Sequence, residues 1–140
     1  MKIRQATEYE QARIKELAAK VQEEATVGYL PADHHMLTNG FGPCEYWVID
    51  HNQICGWIVF GETIAPFKHV RSGMIFELFV LPTSRNKGYG SLLMSFAIEE
   101  LRQRGYETVH LNVFANNQAK NLYNRMGFKE VSTIMEMELS

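Results

Sequence analysis

The spacing of apolar positions changes several times along the chain, and each change predicts an element. Residues 2–6 alternate between apolar and polar side chains, as a short strand does. Thr7 and Glu10 then have the T-x-x-E spacing of a helix capping box. A helix is therefore predicted from this point, with an apolar face made of Ile14, Leu17, Ala18 and Val21. Glycine and proline end it before a second, short helix around residues 32–37.

The middle of the chain is rich in β-branched and aromatic residues. Residues 45–50 and 54–60, joined by a short polar stretch, predict a β-hairpin. Residues 61–73 are predicted to form a loop or an irregular edge. Residues 74–81 are almost entirely apolar, which predicts a central strand with both faces covered. Glu77 is the one charge inside that strand.

The remainder of the chain alternates between helical and strand-like spacing. A helix is predicted from Gly90 to its closure at Gly105, and residues 108–113 alternate as a strand. A further helix over residues 118–126 leads into a last strand region, 129–139. The order βααβββαβαβ predicts an α/β (α+β) fold in which a mixed sheet has helices on both faces.

Composition narrows the classes of protein to consider. The 140 residues fit one domain, 1–140, and 46% hydrophobic with 21% charged residues is ordinary for a globular chain. A net charge of -2 provides no basic surplus for binding nucleic acid. The polar N-terminal segment lacks the apolar core of a secretory signal, and no run approaches the roughly 18 apolar residues of a membrane span. We therefore expect a cytoplasmic protein that binds neither nucleic acid nor membrane.

Cysteine and histidine positions give no support for a metal site. Cys44 and Cys55 form no CxxC pair and have no histidines at ligand spacing, so we expect inert reduced thiols. His34 and His35 lack further ligands as a metal pair, and we interpret them as surface or acceptor-site residues.

A glycine-containing loop joins the buried strand to the next helix, with the sequence Pro82-Thr83-Ser84-Arg85-Asn86-Lys87-Gly88-Tyr89-Gly90. Glycines allow backbone N–H groups to point outward at a helix N-terminus, where the helix dipole also favours an anion such as pyrophosphate. Arg85 and Lys87 provide cations beside it. Taken alone, R-x-x-G-x-G fits a plain strand-to-helix turn with solvated charges equally well.

Two sequence blocks together resemble a known family. Arg85-x-x-Gly88-x-Gly90 is similar to the Q/R-x-x-G-x-G/A signature of the GCN5-related N-acetyltransferase (GNAT) family. Downstream, Asn116-x-x-Ala119-x-x-Leu122-Tyr123-x-x-x-Gly127-Phe128 resembles that family's other signature. The resemblance is strong over residues 74–128, and the stretch 110–128 looks like a bacterial branch of uncharacterised members. It implies a mostly antiparallel sheet with a parallel, splayed pair at strands 74–81 and 107–113.

The resemblance also implies how acetyl-coenzyme A binds. Backbone N–H groups of the loop would surround the pyrophosphate, and the backbone of the preceding strand would bond the pantetheine arm and polarise the thioester carbonyl. Asn116 matches the family's cofactor-contacting asparagine, although the neighbouring Asn117 makes the assignment depend on spacing to Ala119. The implied cofactor-binding residues are Leu78, Phe79, Val80, Arg85, Asn86, Lys87, Gly88, Tyr89, Gly90 and Asn116.

The resemblance also implies two candidate catalytic residues. Tyr123 matches the tyrosine proposed to protonate the departing thiolate; its phenol is protonated at neutral pH, and the alternative is a tyrosine that packs on the core. An amine of pKa about 10.4 must lose a proton before it attacks. Glu77 is the candidate base. The alternative, given equal weight, is that Glu77 is a buried, hydrogen-bonded glutamate with a structural role. His110 and a water chain are further alternatives.

The residues and the resemblance together favour an enzyme that transfers the acetyl group of acetyl-coenzyme A directly to an amine, without a metal. The alternative is a non-catalytic module that binds coenzyme A. The acceptor stays open among a small amine, a peptide N-terminus and a lysine side chain, since the family's acceptor site corresponds to residues 25–42 and 130–139, where the resemblance is weakest. We expect a monomer or a homodimer.

Overall fold

The computed structural model describes residues 1–25 and 43–139. The elements in chain order are β1 (Lys2–Gln5), α1 (Glu8–Glu16), α2 (Ala18–Ala25), β2 (Cys44–Asp50), β3 (Ile54–Ile64), β4 (Arg71–Val80), α3 (Tyr89–Gln103), β5 (Val109–Leu111) and α4 (Ala119–Met126). A 3-10 turn, Pro82–Ser84, follows β4. The predicted short helix around residues 32–37 lies outside the described residues.

The five described strands form one sheet in chain order, β1-β2-β3-β4-β5. The first four pair antiparallel, and β4 pairs parallel with β5 after the chain has passed through α3. The predicted mixed sheet and the β2–β3 hairpin are therefore confirmed. The loop predicted over residues 61–73 is wrong at both ends, because antiparallel pairs continue from Gly61–Met74 to Ile64–Arg71. The backbone N–H and C=O groups of these residues are paired in the sheet, although their local sequence lacks a clear strand pattern.

Helices cover both faces of the sheet, as predicted. On one face, α3 buries a set of residues against the strands: Ile49, Ile58, Phe60, Ile75, Leu93, Met94, Ala97 and Leu101. On the other face, α1 and α2 cover a second set: Ile14, Val21, Tyr46, Val48, Trp57, Val59 and Phe79. Burial of these apolar side chains is the main force that holds the two layers on the sheet.

The predicted capping box begins α1. The Thr7 hydroxyl accepts from the Glu10 N–H at 3.1 Å, and the Glu10 carboxylate accepts from the Thr7 N–H at 2.9 Å. Arg4 joins Glu10 at 2.8 Å and Asp50 at 3.1 Å, so it ties β1 to both α1 and β2. The bond from Arg4 is the largest influence that lowers the pKa of Glu10, to about 2. The single predicted helix is interrupted at Leu17, which divides it into α1 and α2.

The last predicted strand, residues 129–139, is not a strand in the structure. These residues have no ladder partner among the described strands, and all of their side chains are exposed. An alternating pattern becomes a strand only where a neighbouring strand supplies backbone hydrogen-bond partners, and this segment does not lie along β5 in its own chain. The strand predicted over residues 107–113 is likewise limited to Val109–Leu111.

Candidate functional site

A β-bulge in β4 marks the place where its pairing with β5 ends. Val59 pairs with Glu77 and Phe60 pairs with Ile75, so Phe76 is the inserted residue of the bulge. The parallel ladder with β5 runs only from Gly73 to Ile75. Residues 76–80 of β4 therefore extend past the last pair, as the splayed arrangement requires. Their edge toward β5 makes no ladder with the described strands, and it includes the backbone of the predicted cofactor-binding residues 78–80.

The bulge also changes the face on which Glu77 lies. Ile75 packs in the core beneath α3, but the extra residue places Glu77 beside Val59 on the face covered by α1 and α2. There the indole Nε1 of Trp57 donates to Glu77 Oε2 at 2.6 Å. Burial raises the pKa of Glu77, and the bond from Trp57 opposes that rise. A carboxylate with a raised pKa is a stronger base than an exposed one.

The loop before α3 has the backbone geometry of an anion cradle. Asn86 and Gly88 both have left-handed backbone angles, with φ of 63° and 81°. Gly88 is the N-cap of α3 and provides no side chain to cap it. Because first-turn N–H groups have no acceptor within their own helix, those of Tyr89, Gly90 and Ser91 are available to an anion.

Gly90 lies where three predicted parts of the site meet. A Cβ built on it would be 3.6 Å from Leu122 Cδ2 and 4.0 Å from Val80 Cγ2. The first turn of α3 therefore faces the end of β4 and the helix that carries Tyr123. Those distances are ordinary van der Waals contacts, so packing within the chain does not require glycine here. A closely approaching ligand would require it.

Arg85 has partners within the chain that the sequence did not reveal. Its guanidinium lies 2.6 and 2.7 Å from the two carboxylate oxygens of Glu24 in α2, and its Nε donates to the Val80 carbonyl at 2.8 Å. The guanidinium carbon is 5.3 Å from the centroid of the Phe79 ring. Arg85 thus ties α2 to the end of β4. Lys87, the other predicted cation, is exposed.

Tyr123 was predicted either to donate a proton or to pack on the core, and the surroundings of its ring and its hydroxyl bear on both interpretations. Its ring is half-buried against the α3 core and lies 5.9 Å from the Phe128 ring, edge to face. Its hydroxyl has no hydrogen-bond partner among residues 1–25 and 43–139. Burial raises the pKa of Tyr123 to about 12. The phenol therefore keeps its proton over the whole physiological range.

Asn116 and Asn117 differ in their hydrogen bonds and exposure. Asn117 Oδ1 accepts from the Ala119 N–H at 2.9 Å, which gives Asn117 a local role at the start of α4. Asn116 is exposed, and its cofactor contact stays a prediction. Tyr89, another predicted cofactor residue, packs its ring on the α3 core and places its hydroxyl 3.4 Å from His51 Nδ1.

His110, the alternative base, lies beside the start of β4. Its Nδ1 lies 2.7 Å from the hydroxyl of the fully buried Ser72, which also donates to the Thr108 carbonyl. His110 pairs with Met74, three residues before Glu77, which is about 10 Å along a strand. The two candidate bases therefore occupy separate positions.

Residues 1–25 and 43–139 contain no group of three or more His, Cys, Asp or Glu side chains placed to hold a metal ion. His34 and His35 lie outside those residues. None of the described helices combines the length and the apolar character that crossing a bilayer would need.

Comparison with known proteins gives the same family as the sequence blocks. Residues 42–130 match the family model described as an acetyltransferase (GNAT) domain. The chain is 33% identical over 84 residues to a [ribosomal protein bS18]-alanine N-acetyltransferase of Haemophilus influenzae. That alignment covers 60% of this chain and 53% of the relative, so the chain spans about half of the relative's length.

Solved structures share the fold at low identity. A putative acetyl transferase from Pyrococcus furiosus superposes with a TM-score of 0.78, 21% identity and 99% coverage of both chains. An aminoglycoside antibiotic 6'-N-acetyltransferase from Acinetobacter haemolyticus gives a TM-score of 0.70 at 16% identity, covering 100% of this chain and 99% of that one. With a family model that matches more than half of the chain, and with the splayed strands and glycine loop in place, the chain belongs to the GCN5-related N-acetyltransferase family.

Proposed function

We propose that this protein transfers the acetyl group of acetyl-coenzyme A directly to an amine. The observation that carries the proposal is the convergence at Gly90 of the first turn of α3, the helix that holds Tyr123 and the end of β4, whose edge toward β5 is open among the described strands. A cofactor that lies in this junction meets free backbone N–H groups at one end and a protonated phenol at the other. A plain strand-to-helix turn needs neither.

Coenzyme A is held mainly by backbone groups in this proposal. The pyrophosphate accepts from N–H groups between Asn86 and Ser91, where the dipole of the 15-residue helix α3 adds to the attraction. The pantetheine amides bond to the open edge of residues 78–80. Asn116 contacts the cofactor from the loop before α4.

The reaction is a direct displacement at the thioester. The lone pair of a neutral amine attacks the carbonyl carbon and forms a C–N bond, and the C–S bond then breaks. The thiolate takes the Tyr123 proton or a proton from water, and the amine's proton passes to Glu77 directly or through water. The carbonyl oxygen accepts from a backbone N–H of residues 78–80, which stabilises the charge that develops on it.

An amine is the class of acceptor that the named relatives share. The Haemophilus influenzae relative is named for an alanine of a ribosomal protein, and the Acinetobacter haemolyticus structure is named for an aminoglycoside antibiotic. A peptide N-terminus and a small-molecule amine are both included in our proposal. A lysine side chain is the third acceptor to test.

Release of free thiol from acetyl-coenzyme A tests the proposal. The assay uses peptides with N-terminal alanine, aminoglycosides, polyamines and lysine peptides, with each N-acetylated compound as a matched negative control. Amine-dependent thiol release, with an acetylated product detected by mass spectrometry, is the expected result. Tight coenzyme A binding without turnover on any amine would instead favour the non-catalytic module.

A further inference from the structure

A buried serine lies at the closed end of the gap between β4 and β5. Ser72 is fully buried, and its hydroxyl oxygen is 2.9 Å from the carbonyl oxygen of Thr108 and 2.9 Å from the hydroxyl oxygen of the same residue. It is also 2.7 Å from His110 Nδ1. One side chain of β4 therefore contacts both residues that flank Val109, the first residue of β5.

These contacts extend a short ladder. The parallel pairing of β4 with β5 runs only from Gly73–Val109 to Ile75–Leu111. The Gly73 N–H donates to the Thr108 carbonyl at 2.9 Å, and the Ser72 hydroxyl donates to the same oxygen. Ser72 thus adds hydrogen bonds one residue before the first ladder pair, at the end of the ladder away from the bulge.

The start of β5 is held on both faces of the sheet. A Cβ on Gly73 would lie 2.8 Å from Leu101 of α3, and Val109 packs on the α3 core. Because side chains alternate along a strand, Ser72 and His110 lie on the opposite face. Apolar contacts therefore hold β5 on one face, and the hydrogen bonds of Ser72 hold it on the other.

The Ser72 hydroxyl can serve all three partners at once. A hydroxyl donates one hydrogen bond and accepts two. Ser72 donates to the Thr108 carbonyl and accepts from the Thr108 hydroxyl, and the set is complete when His110 carries its proton on Nδ1. Removal of this one hydroxyl would therefore break three connections between β4 and β5 together.

The two strands separate at the other end of the same ladder. After Ile75, residues 76–80 of β4 continue past the last pair for about 16 Å, at about 3.3 Å per residue. A small rotation of β5 at the closed end would be enlarged over that distance. The bonds of Ser72 are thus placed to fix the angle between the strands and, with it, the width of the gap.

We propose that Ser72 is a positioning residue that sets the width of the gap in which the pantetheine arm of coenzyme A lies. The inference rests on the proposed function, because that function places the arm along residues 78–80. Ser72 precedes Leu78 by six residues and is fully buried. It therefore acts through the direction of β5 and does not touch the cofactor.

The test compares two calorimetric affinities, one for coenzyme A and one for 3'-phospho-ADP, which has the phosphates but lacks the pantetheine arm. Ser72→Ala should lose at least about fivefold in coenzyme A affinity and keep its 3'-phospho-ADP affinity within about twofold, because only the arm depends on the gap. Thr108→Val should shift the ratio of the two affinities in the same direction. Thr108→Ser keeps the hydroxyl and should match the wild type.

Thr63→Val is the matched control, because it removes a hydroxyl from the β3 residue that pairs with Ser72 on the other side of β4. It should leave both affinities unchanged. Equal losses for the two ligands in Ser72→Ala would overturn the proposal, since a general loss of structure affects both, and so would an unchanged coenzyme A affinity.

Two features keep the outcome unambiguous. If Ser72→Ala does not fold, Thr108→Val and Thr108→Ser provide the same comparison at an exposed residue, and equal ratios in these two variants would overturn the proposal. The affinities require no turnover. A wild type that binds coenzyme A but releases no thiol would therefore contradict the proposed acetyl transfer alone.

Discussion

The indole of Trp57 and the carboxylate of Glu77 are joined across β3 and β4 by a hydrogen bond of 2.6 Å. Glu77 reaches the indole because the bulge at Phe76 turns the strand over between Ile75 and Glu77. The bond engages Oε2 of Glu77, so in the proposed reaction the other carboxylate oxygen would take the proton from the substrate. Burial and hydrogen bonding act on the Glu77 pKa in opposite directions, which gives two separate experimental tests.

Replacement of Glu77 by Gln tests its role as the base. Glu77 is protonated at low pH and loses its proton only above the ordinary glutamate range, because burial raises its pKa. The wild-type kcat/KM should therefore rise with pH as the carboxylate forms. Glu77→Gln should flatten that rise and lower kcat by about 10²-fold or more. An unchanged profile would assign the proton to water or to His110, which His110→Asn would then separate.

Removal of the indole donor should move the pH profile without removing the base. In Trp57→Phe the bond that lowers the Glu77 pKa is lost, so the pKa and the acid limb of kcat/KM should move to higher pH. Trp47→Phe is a matched control, because Trp47 Nε1 donates to the carboxylate of Glu45 at 3.0 Å in the same sheet. Equal profiles for the two variants would contradict the positioning role of Trp57.

The sequence predicted most of the fold because local patterns determine local elements. The capping box at Thr7, the apolar run of β4 and the glycine that ends α4 all behave as predicted. The bulge at Phe76 was not predicted, since an apolar run has no alternation from which an inserted residue is recognised. The strand predicted over residues 129–139 is wrong, because an alternating pattern does not supply the neighbouring strand that a ladder needs.

The candidate site, like the fold, was predicted only in part from the sequence. Motif spacing selected the loop before α3 and the helix of Tyr123, because both are contiguous in sequence. It did not select Glu24 or Trp57, which reach Arg85 and Glu77 across the fold from 61 and 20 residues away. An exposed glutamate in α2 and an aromatic residue in a strand have many ordinary explanations. Only the assembled structure connects them to the site.

Tyr123→Phe separates chemistry from binding. The hydroxyl has no described partner, so its removal should leave the melting temperature close to that of the wild type. Coenzyme A affinity should stay within a few-fold, and kcat should fall by up to about 10²-fold if protonation of the thiolate limits the rate. Simultaneous loss of stability and affinity would identify Tyr123 as a packing residue only.

Because Arg85 and Glu24 form an ion pair, we expect substitutions of the two residues to have opposite effects on coenzyme A affinity. Arg85→Ala should weaken coenzyme A binding by about 1–2 kcal/mol, because it would remove the proposed charge-assisted contact to phosphate. Glu24→Gln should strengthen binding slightly, since the Glu24 carboxylate is paired with the Arg85 guanidinium and would compete with phosphate for it. Arg102→Ala, which breaks the exposed pair with Glu99 at the far end of α3, is the control and should leave calorimetric affinity unchanged. Equal affinity in Arg85→Ala and Arg102→Ala would remove Arg85 from the cofactor site.

Gly88 and Gly105 provide a matched pair for testing whether the loop before α3 binds coenzyme A through its backbone, as proposed. Both have left-handed backbone angles, with φ of 81° and 93°, and a Cβ on either meets no atom of the described chain within 4 Å. Alanine at either position should therefore cost a similar amount of stability, on the order of 1 kcal/mol.

Only Gly88 lies where the pyrophosphate would approach, because Gly105 follows the opposite end of the same helix. The decisive measurement is the calorimetric coenzyme A affinity of Gly88→Ala and Gly105→Ala, each confirmed as folded by its melting temperature. We predict that Gly88→Ala loses at least about tenfold in affinity, or roughly 1.4 kcal/mol, while Gly105→Ala matches the wild type. Equal affinities in the two variants would contradict the assignment of this loop to the cofactor.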